Sequence, residues 1–570
     1  MMETAENSRE SSNAERPWWR GPHVWILTLF VVLLHGVPMT MLTFRGEETR
    51  RAQVAVEILR SGDWIVPRLQ GEFYLSRPPM GSWSIAAIGW LRGEVDHIAA
   101  RLPSVIAICL TTLLIYGYSR QFLNSTAAFL AAISYPSMML VLQLGRTAET
   151  EAQFSLYVGA SMLLWHLGYR SGWTGWKTWT IGYTFAALAG LTKGPQGLVY
   201  FVSVVGVYLL LVRRDWKFLF SRGHLIGGLT FVGILAAWQV PYYMNSNWDC
   251  VVGIWTKLAS QRFVHYNSVF IKHLASYPLE IAACALPWSP FLLQFANPKF
   301  YKSLGERKTE AAFLWTCLLV TFPSVWFAPY ALGRYYMPLF PVIAVLFGLV
   351  LDRLMTRPEG VWMRNGWRWY AVGSAVAMLF GAGVLTGVVS GQIQAEWADA
   401  LRNTIVLTSI SLGILLVGAV MLWQYRDAIS PRALQFAALT VAVCCSFGPA
   451  ITIVDSQRRN QPDIEARMAE LKAKLPPNTP LVSYGPLHHA FLFHFGEFVP
   501  RRPWPTEPNE AADTEYFCIH ERESKTHTLP FAWEPVTVIS CEGHKTRRES
   551  RTVIGRRLDQ VASTSELHTQ

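Results

Sequence analysis

The amino-acid sequence predicts a polytopic all-α membrane protein with a small C-terminal α/β domain outside the membrane. Of the 570 residues, 51% are hydrophobic and only 16% are charged, and the mean hydropathy is +0.22. One soluble core cannot bury that much apolar surface. The apolar residues also gather into runs of membrane-spanning length between residues 23 and 454, which is the pattern of a multi-span membrane domain.

The spans follow one another from the N-terminus. Residues 1–22 are polar and are expected to form a disordered cytoplasmic segment. The first run, His23 to Leu42, lacks a small-residue cleavage site, so a retained helix is predicted. With the later runs it gives about thirteen spans, at roughly 17–25 residues per crossing. The later runs lie near residues 102–118, 127–144, 152–169, 178–192, 196–212, 224–243, 277–295, 311–327, 335–351, 370–390, 403–423 and 434–454.

The basic residues support a cytoplasmic N-terminus. If the spans alternate from that side, every inside loop carries Lys or Arg, as the positive-inside tendency requires. The exception is the insert at residues 43–101, which lies outside yet is rich in arginine. We therefore expect its arginines to serve a ligand. Lys and Arg (50) outnumber Asp and Glu (39), but no basic stripe is interleaved with exposed aromatics, so nucleic-acid binding is not expected.

The chain after residue 454 changes character. Residues 455–544 contain an amphipathic segment, DIEARMAELKAKL, and the strand-like stretches PLVSYG, EYFCIH and PVTVIS. They predict a small α/β domain on the outer face. Residues 545–570 are expected to be a disordered tail. Cys518 and Cys541 lie in this region, and a disulfide between them is left open because pairing depends on the redox compartment.

The chemistry is predicted to lie in the polar insert, within residues 43–83. Carboxylates that can take a proton stand there beside guanidiniums that can hold a phosphate. The charged and aromatic residues of the insert are Glu47, Glu48, Arg50, Arg51, Arg60, Arg68, Arg77, Trp64, Tyr74 and Trp83. This composition indicates a site for an anionic substrate.

Charged residues at other span ends are candidates for the same site. Glu149 and Glu151 precede a span and either face water or present a second carboxylate to the site. Lys193 lies between two apolar runs and is either a snorkelling lysine or an anion ligand, with Gly194–Pro195 as a helix break. Arg262 and Arg334 are each a surface charge or a phosphate ligand.

A metal site is not expected. His488, His489 and His494 have no acidic or cysteine partner at helical spacing. The sequence contains no CxxC and no HExxH motif.

The motifs together carry a family resemblance. In order they are EETRRAQVAVEIL, SGDWIVPRLQGEFYLSRPPMGSW, AARLPS, GRTAETEAQF, LTKGPQGLV, QRF with ALPWSPFLL, and RYYMPLFP. This series, over roughly residues 25–350, resembles the membrane glycosyltransferases of the GT-C fold, specifically the aminoarabinose transferase and protein O-mannosyltransferase-like group. SGDWIVP with RPP, and LTKGP, are its more specific elements.

The resemblance implies an enzyme that moves a sugar from a polyprenyl-phosphate donor to a lipid, glycan or protein acceptor, with inversion. It implies lipid A modification or protein O-mannosylation at the outer face of a bacterial inner membrane, with the C-terminal domain periplasmic. The family's catalytic acid pair, usually Asp-Glu, maps to Glu47 and Glu48. A second acidic residue, commonly Asp, maps to Glu151, so both sites carry Glu, one methylene longer.

The remaining roles follow from chemistry and the resemblance together. Glu47 is the expected general base, and the departing phosphate is expected to bind cations. The expected phosphate ligands are Arg50, Lys193, Arg262 and Arg334, and the expected sugar or lipid contacts are Tyr74, Arg77, Trp83 and Glu149. No metal or other cofactor is expected, because side chains supply the positive charge.

Two other classes of protein remain open. A flippase for a lipid-linked sugar would share the multi-span layout, although no internal repeat is present and few charges lie in mid-span. An inactive transferase-like binding protein is the other alternative, because both acidic positions depart from the family pattern.

Overall fold

The structure, a computed structural model, describes residues 18–44, 46–260, 268–356, 361–394, 398, 401–402, 404–427, 430–459, 464–477, 479–541 and 551–558. The chain divides into two compact units. The first is drawn from residues 1–42, 75–81 and 101–459, and the second from residues 43–74, 82–100 and 460–570.

Helices account for nearly all of the first unit. Its α-helices, with those that begin in the second unit, are α1 (Pro22–Val31), α3 (Met80–Arg92), α4 (His97–Ser119), α5 (Ser125–Ser134), α6 (Met139–Leu144), α7 (Glu151–Arg170), α8 (Gly175–Lys193), α9 (Gln196–Val207), α10 (Trp216–Leu219), α11 (Arg222–Met244), α12 (Trp248–Ser260), α13 (Ser268–Cys284), α14 (Pro298–Ser303), α15 (Lys308–Thr321), α16 (Pro323–Trp326), α17 (Phe340–Thr356), α18 (Val361–Val389), α19 (Ile405–Gln424) and α20 (Pro431–Arg459). The predicted fold class, an all-α membrane protein with a small C-terminal α/β domain, is confirmed.

Within the described ranges, nine helical segments are long and apolar enough to cross a membrane, or ten if a bent pair counts as one span. The bent pair, Phe270–Cys284 with Ser289–Ala296, turns by 115°. The predicted run at 127–144 is instead split into α5 and α6 around Pro136, because proline cannot continue a helix. At 10 residues, α5 is too short to span a bilayer. The total of about thirteen remains a prediction.

Helix α17 runs through the core of the first unit. It is almost entirely buried, including the ionisable Asp352 near its end. The Asp352 carboxylate accepts hydrogen bonds from the backbone N–H (3.0 Å) and the side-chain amide (2.7 Å) of Asn124 and pairs with Arg307. A buried carboxylate is tolerated when it is paired in this way.

The second unit contains the predicted α/β domain. Its helices are α2 (Glu48–Ser61), α21 (Ile464–Ala473) and α22 (His489–Phe495). Its strands are β1 (Arg68–Leu69), β2 (Glu72–Phe73), β3 (Val482–Tyr484), β4 (Arg501–Arg502), β5 (Tyr516–His520), β6 (Trp533–Ser540) and β7 (Arg551–Arg557). The five-stranded sheet has the order β4-β3-β5-β7-β6, with β3 parallel to β4 and β5, and β7 antiparallel to β5 and β6.

Polar contacts tie the insert to this α/β domain within the second unit. Glu57 of α2 accepts hydrogen bonds from the backbone N–H groups of Gln70 (2.5 Å) and Gly71 (3.0 Å). The Gln70 side chain donates to Ser483 Oγ of β3 at 2.6 Å. Residues 43–74 therefore belong with the C-terminal domain, whereas the sequence had assigned the whole insert to the membrane domain.

Two further expectations for the C-terminal region differ from the structure. Residues 551–557, expected in a disordered tail, form β7, because this strand supplies the buried hydrogen-bonding partner of both β5 and β6. No disulfide joins Cys518 and Cys541, which both carry buried thiols. Cys518 is on β5 and Cys541 follows β6, and β7 lies between these strands. Two strand spacings are about 9–10 Å, beyond the reach of a disulfide.

Candidate active site

A cluster of opposite charges lies inside the first unit, contributed by segments far apart in the sequence. Glu149 and Glu151 lie at the start of α7, and Lys193 ends α8. Arg334 lies in the short 3-10 turn Gly333–Tyr335, ahead of α17. The Arg77 guanidinium is close enough to repel the Lys193 ammonium. The structure thus brings together five residues that the sequence had proposed separately.

The centre of the cluster is a buried ion pair. Lys193 Nζ lies 2.9 Å from Glu151 Oε1, and the two side chains are 5% and 4% exposed. The snorkelling interpretation of Lys193 is therefore wrong, as is the interpretation of Glu151 as a charge that faces water. Each residue also lies at the helix end that suits its charge, with the carboxylate at an N-terminus and the ammonium at a C-terminus.

Aromatic rings surround the Lys193 ammonium. Its Nζ lies 5.2 Å from the ring centroid of Tyr335 and 5.6 Å from that of Phe154. These are cation–π distances. The rings exclude water from the ion pair, so a charge that enters the cluster meets an electrostatic field stronger than it would in bulk solvent.

Arg334 is the more accessible cation of the cluster. Its side chain is 32% exposed, and its nitrogens lie 3.8 Å from Glu151 Oε1 and 4.0 Å from Glu149 Oε1. These contacts are longer than that of Lys193 and are less committed. An anion that reaches the cluster can therefore engage Arg334 without first displacing a tight ion pair.

Helix α13 holds the turn that carries Arg334. Glu280 Oε1 accepts a hydrogen bond from the backbone N–H of Gly333 at 2.7 Å, and the Tyr277 hydroxyl donates to the Leu332 carbonyl at 3.2 Å. A Cβ at Gly333 would lie 2.9 Å from Glu280 Oε1 and 2.8 Å from Cys284 Sγ. The close approach of α13 thus requires glycine at this position.

Gly194 sets the position of Lys193. It has φ +92° and ψ −163°, a region that glycine alone adopts without strain. The chain therefore leaves α8 immediately after Lys193 and enters α9 at Gln196. This confirms the helix break predicted at Gly194–Pro195.

The remaining predicted residues belong to the second unit. Glu47 precedes α2 and pairs with Arg50 at 2.8 Å, with the two side chains 39% and 31% exposed. Glu48 and Tyr74 are buried. Trp83 Nε1 donates to the Trp64 carbonyl at 2.5 Å. Arg262 lies outside the described residues. The roles of these residues stay predictions.

Sequence reasoning missed two residues that shape the first unit. One is Glu280, which holds the Arg334 turn. The other is Arg101, which is 2% exposed and donates from Nη1 to the Met39 carbonyl at 2.6 Å and the Leu42 carbonyl at 2.7 Å. An arginine at the start of an apolar helix is costly unless it is satisfied, and that cost was the available signal.

The histidines of the second unit have structural partners. His489 Nδ1 and Thr49 Oγ1 are 2.7 Å apart. Burial lowers the pKa of His489 to about 2, assisted by the nearby charges of His488, Arg50 and Arg51. Burial also lowers the pKa of His494 to about 4. In the part of the chain that the structure describes, no group of three or more His, Cys, Asp or Glu side chains is placed to hold a metal.

An apolar cavity of about 390 Å³ lies elsewhere in the first unit. Its walls come from α6, from the segment that follows α13, and from α18. The lining residues include Met139, Leu142, Leu286, Pro287 and Trp369. Such a cavity accommodates a hydrocarbon chain rather than a polar group.

The chain is similar to known membrane glycosyltransferases. The family model described as dolichyl-phosphate-mannose-protein mannosyltransferase matches residues 76–239. An undecaprenyl phosphate-alpha-4-amino-4-deoxy-L-arabinose arabinosyl transferase of Aeromonas hydrophila is 27% identical over 356 residues, which is 60% of this chain and 62% of that protein. The protein of the same name from Edwardsiella ictaluri is 26% identical over 470 residues, which is 78% of this chain and 80% of that protein.

A solved structure has the same fold. The crystal structure of ArnT from Cupriavidus metallidurans bound to undecaprenyl phosphate superposes with a TM-score of 0.71 at 18% identity, covering 93% of this chain and 97% of that one. The predicted resemblance to the aminoarabinose transferase and protein O-mannosyltransferase-like group, and with it the GT-C fold, is therefore confirmed. The chain is a multi-pass membrane protein of this fold.

Proposed function

We propose that the protein is an integral-membrane glycosyltransferase that takes a sugar from a polyprenyl-phosphate donor. The observation that carries the proposal is the buried cluster of Lys193, Glu151 and Arg334, together with relatives that are named as undecaprenyl-phosphate-sugar transferases. Its acceptor is a hydroxyl of a lipid, a glycan or a protein.

The charges of the cluster suit a phosphate. Lys193, Arg334 and Arg77 supply three cations, and Glu149 and Glu151 supply two carboxylates, so the cluster keeps a net positive charge. An ammonium has three N–H donors, and Glu151 accepts from the Lys193 ammonium at 2.9 Å. A second donor of Lys193 and the guanidinium of Arg334 can therefore bind the oxygens of a phosphate.

This arrangement favours departure of the phosphate. In the transfer, the bond between the anomeric carbon and the phosphate oxygen breaks, and the bonding electrons leave with the polyprenyl phosphate. The added negative charge develops where Arg334 and Lys193 are already positioned, so the transition state is stabilised more than the ground state. The apolar cavity in the first unit is of the kind that takes a hydrocarbon chain, such as a prenyl tail.

The acceptor hydroxyl must lose its proton as it attacks the anomeric carbon. We assign that proton to Glu47, the carboxylate that the family resemblance indicates, with inversion at the anomeric carbon. Arg50, which pairs with Glu47, and Arg262 remain proposed phosphate ligands. Glu48, Tyr74 and Trp83 remain proposed substrate contacts. The positive charge comes from side chains, and no metal cofactor is part of this proposal.

We place the enzyme in a bacterial inner membrane, with the N-terminus cytoplasmic and the C-terminal domain periplasmic. The basic inside loops and the location implied by the resemblance support this orientation.

The test measures release of free polyprenyl phosphate from a panel of polyprenyl-phosphate sugars in membranes that contain the protein. The wild type is expected to consume a donor, and folded Glu47→Gln and Lys193→Ala variants are expected to be inactive. Lys302→Ala, an exposed lysine outside the cluster, is the matched control and should keep full activity. Failure to consume any donor across a broad panel would contradict the transferase assignment, and an active Glu47→Gln would remove that residue from the base role.

A further inference from the structure

Two loops at one end of the helix bundle form a single surface. One loop joins α7 to α8, and the other joins the π-helical segment Tyr208–Arg213 to α11. They pack so closely that a Cβ at Gly223 would lie 2.6 Å from the carbonyl carbon of Gly175. We call the exposed cations and aromatic side chains of these two loops the basic-aromatic patch.

The patch has a strong excess of positive charge. Its cations are all exposed and are Lys177, Arg213, Arg214, Lys217 and Arg222. The one carboxylate in these loops, Asp215, is already engaged: it accepts hydrogen bonds from the Tyr169 hydroxyl at 2.9 Å and from the Phe218 backbone N–H at 3.1 Å. The patch is therefore complementary to an anion.

Large aromatic side chains lie among these cations. Trp173, Trp176, Trp216 and Phe220 are 39%, 49%, 58% and 76% exposed. Lys177 lies 5.6 Å from the ring centroid of Trp176, and Lys217 lies 5.9 Å from that of Trp216. Tryptophan with lysine is the side-chain combination that anchors proteins at the headgroup level of a bilayer.

A cavity of about 470 Å³ opens in the patch. It is lined by Trp173, Thr174, Trp176, Lys177, Thr180 and Ile181. Thr180 Oγ1 is buried there and has no hydrogen-bond partner among the described residues. A buried hydroxyl without a partner is costly, so this oxygen is an observation, independent of the charges, that points to a bound polar group.

The surface beside the patch identifies the kind of partner. Leu211, Leu225 and Leu229 are 71%, 66% and 62% exposed, and they belong to helical segments that pass the length and hydropathy criteria for a span. Their exposed side chains are suited to hydrocarbon. The cations thus lie where apolar helix surface meets polar loops, which is the depth of a lipid phosphate.

From these observations we propose that the basic-aromatic patch is a binding site for the headgroup of an anionic phospholipid. The lipid phosphate binds Lys177 and neighbouring guanidiniums of Arg213, Arg214 or Arg222. Its polar headgroup enters the cavity toward Thr180, and its acyl chains lie along the exposed leucines of α11. This site does not depend on the glycosyltransferase activity proposed above.

The experiment uses the full-length protein in nanodiscs of phosphatidylcholine that contain phosphatidylglycerol. Photo-crosslinkable phosphatidylglycerol and photo-crosslinkable phosphatidylcholine are added in parallel, and labelled peptides are mapped by mass spectrometry. We expect the anionic probe to label residues 171–181 and 208–229 more than the zwitterionic probe does. Each Lys or Arg near a membrane surface changes anionic-lipid binding by about fivefold, so Lys177→Gln/Lys217→Gln/Arg222→Gln should lower this preference at least about fivefold.

The matched control is Lys299→Gln/Lys302→Gln, which removes exposed cations of α14 outside the patch and should leave the preference intact. High salt should reduce the preference in the wild type, which tests the proposal without relying on a variant. Equal labelling by both probes would overturn the proposal and leave an ordinary aromatic belt. A preference that persists in the folded triple variant, or that salt does not change, would also overturn it.

Discussion

The Lys193 ammonium lies 2.9 Å from the Glu151 carboxylate, and the two side chains are 5% and 4% exposed. The pair joins the C-terminus of α8 to the N-terminus of α7. Neither charge can reach water easily, so each depends on the other for its stability in the folded protein.

Lys193→Met should destabilise the protein strongly, because it leaves the Glu151 carboxylate buried with a weaker partner in Arg334. Removing one member of a buried pair costs about 3–5 kcal/mol. The double variant Lys193→Met/Glu151→Gln should recover part of that loss, because it removes the uncompensated charge. Thermal unfolding in detergent measures both, with Lys302→Met as the exposed control. Equal or additive losses in the double variant would contradict the coupling.

Glu280 should act as a positioning residue for Arg334. Glu280→Ala removes the acceptor of the Gly333 N–H and lets the Arg334 turn shift, and a misplacement of about 1 Å can cost about a hundredfold in rate. We expect kcat/KM for the lipid-linked donor to fall at least about tenfold, mainly through KM. Glu280→Gln keeps an oxygen acceptor and should retain activity close to that of the wild type. A loss of the same size in Glu280→Gln and Glu280→Ala would show that the carboxylate has a different role.

Gly194 and Gly190 provide a matched pair of substitutions at the end of α8. Gly194→Ala forces a side chain into the φ +92° conformation, with a strain of about 1–3 kcal/mol, and should displace Lys193. Gly190→Ala introduces a methyl group that would lie 3.6 Å from Leu235, an ordinary contact in a helical position, so stability should be unchanged or slightly higher. Thermal unfolding of the two variants gives the comparison. Equal stability would argue against the backbone strain at Gly194.

The second unit should lose stability in mild acid. His489 has a folded-state pKa of about 2, and His494 has one of about 4, both below the ordinary value. The unfolded chain therefore binds more protons below pH 6.5, so the stabilisation is complete above that pH and is lost as the pH falls. His489 alone should lower the free energy of unfolding by about 2 kcal/mol between pH 7.5 and 5.

Hydrogen exchange of the β5 amides, at several pH values, measures this dependence. His489→Gln should flatten the profile, because glutamine does not titrate. His527→Gln, which removes an exposed histidine, should leave it unchanged. A wild-type profile that is flat from pH 7.5 to 5 would contradict the buried neutral state of His489.

The sequence was sufficient for the features that depend on local pattern. Apolar runs predicted the helices, and the strand-like stretches predicted β3, β5 and β6. LTKGPQGLV predicted the break after Lys193, because glycine followed by proline ends a helix in a defined way. Glu151, Lys193 and Arg334 were candidates for one site because a charge at a span end must find a partner.

The features that depend on tertiary packing were not accessible from the sequence. Glu280 lies 53 residues from Gly333, and no periodicity relates the two. Strand β7 was read as a tail, because the intervening polar segment hid its place between β5 and β6. The insert joined the C-terminal domain through hydrogen bonds such as Gln70 to Ser483, which are 413 positions apart. Pairings of this kind are fixed by packing rather than by local propensity.

The measurement that tests the central claim most directly is the affinity of the purified protein for polyprenyl phosphate compared with that for the uncharged polyprenol. If the cluster of Lys193, Arg334 and Arg77 binds the phosphate, the phosphorylated lipid should bind at least about tenfold more tightly. Arg334→Gln should remove most of that difference without changing polyprenol binding. Equal affinity of the wild type for the two lipids, or an undiminished preference in folded Arg334→Gln, would contradict the account.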